Sequence, residues 1–142
     1  MLSPDILRAL SLHRGSTARD RTVDITTTGA RSGKARRIEI WFHQVHGHWY
    51  VSSTPAKRDW YANLVAHPRF VFHLKNALRA DLPATAVPVT DPAQRRRVFE
   101  YIVDDLNQPH NPGMVPQPQS VDDWVAGSPL VEVIFDDPHT AA

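Results

Sequence analysis

The strongest constraint on the fold of this chain is a series of short segments in which apolar and polar residues alternate. In Thr22–Thr28, for example, Val23 and Ile25 alternate with Asp24 and Thr26, a period of two that is typical of a half-buried strand. The same alternation predicts six strands, at 22–28, 37–42, 49–53, 70–74, 79–89 and 130–135. Glycine and asparagine turns join most of them as hairpins, with His46-Gly47 as one such turn. This pattern indicates an α+β protein with an antiparallel sheet. Closure of this sheet into a small barrel would leave no strand edge exposed.

Helices are predicted at four places between these strands. The segment 3–12 begins with a Ser-Pro pair, and Asp91-Pro92 begins a second helix, because both pairs are favoured at helix starts. Another helix spans 57–66, and Ser120 caps a short one. The side chains expected to face the core from these helices are Trp60, Leu64, Val65, Val98, Phe99, Ile102, Val103, Leu106 and Trp124.

Four other segments carry weaker expectations. Gly15 to Asp20 is expected to be a polar connector. Pro83 and Pro88 favour an edge position or a bulge for the fifth strand, since proline cannot donate to a ladder. The Arg95–Arg97 run lies in the first turns of its helix and is expected to be solvated or paired with acidic neighbours. The proline-containing segment 107–120 is expected to be a loop that covers a substrate.

Length and composition limit the classes of function. The 142 residues fit one domain, which we place at 21–136, after an N-terminal helix and connector at 1–20 and before a tail at 137–142. The sequence contains no cysteine, which excludes disulfides and thiolate catalysis and favours, weakly, the cytoplasm. No stretch is long enough for a membrane span, although the N-terminal helix could lie on a surface. A net charge of +1 argues against a general nucleic-acid binder.

A basic turn is the best candidate for a binding site. In 26–37, Gly29 and Gly33 would let backbone N–H groups face an anion, and the Ser32 hydroxyl adds a donor. The cations available to pair with phosphate or carboxylate oxygens are Arg31, Lys34, Arg36 and Arg37. The glycine spacing does not match a P-loop. The alternative interpretation is a solvated basic hairpin turn.

A second candidate lies where the third strand gives way to a helix, at 52–64. Helix starts offer free N–H groups to ligands. Ser52, Ser53, Trp60, Tyr61 and Asn63 could contact a planar ring, although Trp60 could equally belong to the core.

The histidines and paired acids are weaker candidates. His43, His46 and His48 cross a predicted turn without a set of converging ligands, so an exposed hairpin is favoured over a metal site, and no metal is expected. His73 alternates with apolar neighbours and is expected on the outer face of the sheet. The pairs Asp104-Asp105 and Asp122-Asp123 are expected to be solvated.

Two of these segments together carry a family resemblance. The strings TTTGARSGKARRIEIWF and WYVSSTPAKRDWYANLVAHPRFVFHLK, followed by DDWVAGSPLVEVIF, resemble the deazaflavin-dependent nitroreductase family. The resemblance covers about 20–135 and implies a split β-barrel like that of the pyridoxamine-phosphate oxidases. It also implies coenzyme F420, with phosphate and acidic tail on Arg31, Ser32, Gly33, Lys34 and Arg36. The ring would lie against Ser52, Ser53, Trp60, Tyr61 and Asn63. This chain departs from the family in its short 53–58 segment, where relatives often have a glycine-rich stretch.

The resemblance further implies a redox enzyme. Reduced deazaflavin would pass a hydride to a quinone, a nitro compound or a conjugated alkene. A nearby hydroxyl, imidazole or water would deliver the proton, and Tyr61 is one candidate for it. Alternatives are FMN in the same barrel, since FMN also joins a phosphate to a tricyclic ring, and a carrier that binds the deazaflavin without turnover. Barrels of this type often pair, so a homodimer is possible.

Overall fold

The computed structural model describes residues 2–109 and 118–136. These residues form five helices and six strands. In chain order they are α1 (Pro4–Leu10), α2 (Ala18–Arg21), β1 (Thr22–Thr28), β2 (Ala35–Val45), β3 (His48–Ser52), α3 (Asp59–Ala66), β4 (Arg69–Leu74), β5 (Ala80–Pro88), α4 (Pro92–Leu106), α5 (Val121–Gly127) and β6 (Leu130–Phe135).

The six strands form a closed barrel in the order β1-β2-β3-β6-β5-β4, and every neighbouring pair is antiparallel. Three hairpins, β1–β2, β2–β3 and β4–β5, follow chain order, while β6 pairs with both β3 and β5 and β1 pairs with β4 to close the ring. The predicted α+β barrel of about six antiparallel strands with flanking helices is therefore confirmed. Closure leaves no strand edge open along the ring.

The interior of the barrel is filled by one face of each strand. Val23 and Ile25 of β1 are almost fully buried, as the alternation predicts. Phe42 and Phe72 meet edge to face at 5.3 Å between ring centroids, and Phe72 meets Phe135 in the same way at 5.0 Å. Such aromatic pairs contribute about 0.5–1.5 kcal/mol beyond their buried area.

A second core lies between the outer wall of the barrel and helices α4 and α5. It joins the predicted stripe of α4 to Trp124 of α5 and to Tyr50 of β3. Arg95 differs from the expectation for its run. It is neither solvated nor paired with an acid but donates to the carbonyl oxygens of Val125 (2.8 Å) and Ser128 (2.7 Å) at the end of α5. The negative end of the α5 dipole takes the role that an acidic neighbour was expected to play. Arg96 does pair with an acid, Asp122, at 2.9 Å.

The fifth strand is not an edge strand, which corrects the prediction drawn from its two prolines. β5 pairs with β4 on one side and with β6 on the other. Pro83 lies just beyond the β5–β6 ladder, and its carbonyl oxygen accepts from the Asp136 N–H at 2.9 Å. Pro88 is the last residue of the strand. Pro83 therefore removes a donor only at the end of the β5–β6 ladder, and Pro88 stands where the strand ends, two positions at which proline is tolerated.

Three local predictions are also corrected. The connector contains α2, whose Thr17 and Asp20 form a reciprocal capping box. Val65 is 54% exposed, because the buried face of α3 is formed by Trp60, Asn63 and Leu64. The third strand ends at Ser52 rather than at Ser53.

Two predicted features fall wholly or partly outside the described residues. They are the central part of the 107–120 loop, at 110–117, and the tail at 137–142. Within the part of the chain that is described, no helix is both long and apolar enough to cross a membrane.

Candidate functional site

The basic turn lies at one mouth of the barrel, between the end of β1 and the start of β2. The register pairs Thr27 with Arg36 and Ile25 with Ile38, so Arg36 continues the inward-facing row beyond the core. Arg37 follows the opposite row and donates to Asp24 Oδ2 at 2.9 Å on the outer wall. Neighbouring arginines in the sequence thus serve different faces, as a period of two requires.

Internal hydrogen bonds hold the turn in a fixed shape. Gly29 N–H donates to the Lys34 carbonyl oxygen at 2.8 Å, and Gly33 N–H donates to the Gly29 carbonyl oxygen at 2.9 Å. The Ser32 Oγ accepts from Lys34 N–H at 3.1 Å. Gly33 has a φ of +69°, a left-handed conformation that favours glycine. Within the described chain, the exposed N–H groups of Arg31 and Ser32 have no protein partner, so these two are the amides left for an anion.

Helix α3 is tied to this turn by one side chain. Asn63 is 8% exposed; its Oδ1 accepts from the Ala30 N–H at 2.9 Å, and its Nδ2 donates to Thr27 Oγ1 at 3.1 Å. The two bonds reach from α3 across 33 and 36 positions of sequence to the end of β1 and the first residues of the turn. The turn and the start of α3 consequently face each other across the barrel mouth.

A cavity of about 720 Å³ lies between them, within the range of small-molecule sites. Six of the predicted site residues line it: Gly29, Arg31, Ser32, Arg36, Trp60 and Asn63. Its remaining walls come from residues that were not among the predicted contacts: Thr27, Ala30, Ile38, Arg58, Asp59 and Ala62.

The charge of the cavity walls is mainly positive. Arg31 and Arg36 come from the turn side and Arg58 from the α3 side, against the single carboxylate of Asp59. Arg58 Nη2 is held by Thr54, through its carbonyl oxygen at 3.0 Å and its Oγ1 at 2.8 Å. The Arg58 Nε is buried and, among the described residues, has no hydrogen-bond partner. A buried donor without a partner is costly, so a bound acceptor would satisfy it. In the sequence, the basic pair Lys57-Arg58 at the start of a predicted helix is the feature that could have indicated a role for Arg58 in anion binding.

The other predicted site residues lie outside the cavity lining. Gly33 and Lys34 form the exposed far side of the turn. Ser52 is buried and donates to the Pro129 carbonyl oxygen at 2.6 Å, while Ser53 Oγ accepts from the Trp60 indole N–H at 3.1 Å. Tyr61 stacks edge to face on Trp60 and packs against the core. Contact of these residues with a cofactor stays a prediction.

Trp60 fits both interpretations given to it. It belongs to the main core and is 7% exposed, and it also forms part of the cavity wall. A planar ligand in this cavity would meet an aromatic side chain that packing and a hydrogen bond already hold in place.

The predicted exposed hairpin holds for His46 and His48, which are exposed at the β2–β3 turn, but not for His43. His43 is 6% exposed rather than exposed, and burial, together with the nearby charge of Arg21, lowers its pKa to about 3. His73 lies on the outer wall as predicted, but it is buried there between Thr26 and Asp81, with ring nitrogens 2.7 Å and 2.6 Å from their oxygens. Hydrogen bonding to His73 lowers the pKa of Asp81. Within the described ranges, no three potential metal ligands converge.

Comparison with known proteins adds an independent result. The model of a family described as F420H2-dependent quinone reductase matches residues 10–111. No curated protein matches the chain.

Solved structures share the fold at low identity. The conserved hypothetical protein Rv2991 from Mycobacterium tuberculosis is 20% identical, with a TM-score of 0.65 over 96% of this chain and 82% of that one. A protein from Listeria innocua described as a pyridoxamine 5′-phosphate oxidase is 13% identical, with a TM-score of 0.59 over 93% of this chain and 91% of that one. An F420H2-dependent reductase is 19% identical, with a TM-score of 0.53 over 87% of this chain and 99% of that one. At such identities the likeness shows a common barrel fold.

Proposed function

Because the chain belongs to the F420H2-dependent quinone reductase family and is therefore an F420-dependent oxidoreductase, we propose that F420H2 binds at the barrel mouth and that a small electrophilic acceptor is reduced there by hydride transfer. The acceptor class is a quinone, a nitro compound or a conjugated alkene. The observation that supports this proposal most is the cavity of about 720 Å³ between a basic turn and the start of α3.

The residues around the cavity fit the chemical character of this cofactor. F420 carries a phosphate and an acidic tail, and the cavity offers Arg31, Arg36 and Arg58 together with two unpartnered amides of the turn. Charge-assisted bonds from arginine to phosphate or carboxylate oxygens are about twice as strong as neutral ones. The orphaned Nε of Arg58 gains an acceptor in such a complex.

The apolar part of the cavity fits the deazaflavin ring. Ile38, Trp60 and Ala62 provide surfaces against which a planar ring can pack. We assign the phosphate and tail to the turn side and the ring to the Trp60 side. Gly33, Lys34 and Arg37 would then act on the anionic tail only at longer range.

The chemistry belongs to the cofactor, and the chain orients the reactants. Held at the anionic end by Arg31 and Arg36, F420H2 would supply the hydride for a two-electron reduction, and the acceptor would also take up a proton. The chain's part is to hold the anionic end by its cations and to exclude water with its apolar wall. Tyr61 is the proposed proton donor. Because its side chain does not line the cavity, it would act through a water molecule or after a movement of the side chain.

Turnover tests this proposal directly. The protein is mixed with F420H2 and, separately, with a benzoquinone, a nitroarene and a cyclic enone, and the return of F420 fluorescence is followed. Acceptor-dependent oxidation above the rate without protein supports the proposal. F420H2 that binds but is not oxidised by any acceptor class would identify a carrier instead. A Tyr61→Phe variant with unchanged turnover would remove that residue as proton donor.

Location and assembly belong to the same proposal. We propose that the protein works in the cytoplasm, where its substrate is a small molecule, and that two copies pair. Sedimentation of the purified protein tests the pairing, and a species with the mass of one chain at all concentrations would contradict it.

A further inference from the structure

The interaction of Asn63 with the turn points to a role that differs from contact with the ring. Both polar ends of its side chain are engaged by protein groups, Oδ1 by the Ala30 N–H and Nδ2 by Thr27 Oγ1. A buried amide with both ends bonded has a fixed orientation. The bond to Ala30 lies directly before the two amides that have no protein partner, those of Arg31 and Ser32.

We propose that Asn63 is a positioning residue, which locks the anion-binding turn against helix α3 and so sets affinity for the phosphate end of the ligand. This inference rests on the proposed function, because it assigns a role within the same site. Without the bond from Ala30, the first residues of the turn lose their only side-chain anchor to the rest of the fold among the described contacts. The turn then samples other conformations, and the ligand has to bear the cost of ordering it.

The neighbouring contacts support a lock rather than a general packing role. Gly29 is buried, and a methyl group added to it would meet Ser32 Oγ at 2.4 Å, so the turn already packs tightly on itself. Thr27, the second partner of Asn63, is opposite Arg36 in the ladder. One side chain thus holds both the turn that carries Arg31 and the strand pair that carries Arg36.

The test compares two ligands that differ only at the anionic end. The first is F420, and the second is the deazaflavin fragment that ends at its ribityl chain and lacks the phosphate and acidic tail. Asn63→Leu removes both hydrogen bonds at similar size, and Thr27→Val removes only the second. We expect Asn63→Leu to weaken F420 binding about tenfold and Thr27→Val to weaken it less, with fragment binding changed less than about twofold in both.

A matched control is available at the opposite end of the barrel. Asn76 also ties two segments, by donating from Nδ2 to the carbonyl oxygens of Arg19 (3.0 Å) and Thr22 (3.2 Å). Asn76→Leu removes a comparable pair of bonds far from the cavity. It should leave the affinities for F420 and for the fragment unchanged, even if the free energy of unfolding falls.

Hydrogen exchange gives a readout that does not depend on the cofactor. In the ligand-free protein, the Ala30 amide should be protected in the wild type and should exchange faster in Asn63→Leu, while amides inside β1 keep their protection. Should Asn63→Leu fail to fold, Asn63→Ala removes the same two bonds with a smaller side chain and carries the same comparison.

The outcomes separate the two proposals. Equal loss of F420 and fragment binding would overturn the positioning role and place Asn63 at the ring. Unchanged F420 binding in a folded Asn63→Leu variant would also overturn it. Absence of F420 binding by the wild type would contradict the proposed function, and Ala30 protection lost in Asn63→Leu would in that case still support the lock.

Discussion

Arg21 and Asp105 form an ion pair in which both residues are almost fully buried, at 3% and 6% exposure. The pair joins the end of α2 to α4 across 84 positions of sequence. Arg21 also donates to the carbonyl oxygens of Ser16 and His13, each at 3.1 Å, and its guanidinium stacks on Trp41. The N-terminal segment is thereby fastened to the outer helix layer through one fully engaged arginine.

Asp105→Asn should therefore destabilise the protein strongly. Removing the carboxylate charge leaves a buried guanidinium without its counter-ion, which costs about 3–5 kcal/mol in comparable pairs. Urea denaturation measures the loss in free energy of unfolding. Asp104→Asn is the control, because its pair with Arg14 is exposed and should contribute less than about 1 kcal/mol. Equal effects of the two variants would contradict the assigned role of the buried pair.

His43 should make the protein sensitive to acid. Its folded-state pKa of about 3 lies below the ordinary value of 6.5, so the unfolded chain binds the proton more readily. Its contribution is fully present above pH 6.5 and is lost as the pH falls toward 3, at up to about 1.4 kcal/mol per pH unit. His43→Gln should flatten the dependence of unfolding free energy on pH between about 6 and 4.

The exposed His67 supplies the comparison for that experiment. His67→Gln changes the same side chain at the surface next to the end of α3 and should leave the pH profile as it is in the wild type. Parallel profiles for His43→Gln and the wild type would show that His43 is not held neutral by burial.

The tight packing of the turn predicts a specific coupling between Gly29 and Ser32. In Gly29→Ala the new methyl group meets Ser32 Oγ at 2.4 Å, so the serine must rotate and give up its bond from Lys34 N–H. We expect F420 affinity to fall about tenfold, equivalent to about 1.4 kcal/mol. In a Ser32→Ala background the same change should cost clearly less. Additive losses in fluorescence titrations of the two single variants and the double variant would rule out this coupling.

Much of the barrel could be predicted from sequence, because each strand carries its own alternation. Val23 and Ile25, or Phe70 and Phe72, need only a local period of two to be placed inward. The closing of the ring could not be predicted in the same way, since the β3–β6 and β5–β6 pairings join distant segments. Pro83 indicated an edge for this reason: its local signal contains nothing about the partner strand.

The candidate site divides along the same line. The basic turn could be predicted because glycine, serine and arginine lie together in one short segment. The lock by Asn63 depends on contacts between α3 and the turn, and the orphaned Nε of Arg58 depends on burial in the folded chain. Neither has a local signature in the sequence. The burial of Asp105 could not be predicted, because the sequence does not distinguish this residue from its exposed neighbour Asp104.

Arg58 should contribute directly to ligand affinity. Its side chain lines the cavity, and its Nε is a buried donor without a partner in the described chain. Arg58→Gln should weaken F420 binding by about 10–100-fold, as expected for a charged hydrogen bond. Arg79→Gln removes the same charge from an exposed position outside the cavity and serves as control. Similar affinities for the two variants would remove Arg58 from the site.

The central claim, that F420 binds through the basic turn at the barrel mouth, is tested most directly by titration of the purified protein. Tryptophan quenching and cofactor fluorescence are followed with F420 and, in parallel, with FMN, for the wild type, Arg31→Gln/Arg36→Gln and Arg79→Gln. The account predicts saturable F420 binding by the wild type and by Arg79→Gln, a loss of at least about tenfold in the double variant, and weaker binding of FMN. FMN binding without F420 binding, or F420 affinity that is unaffected by the double variant, would contradict it.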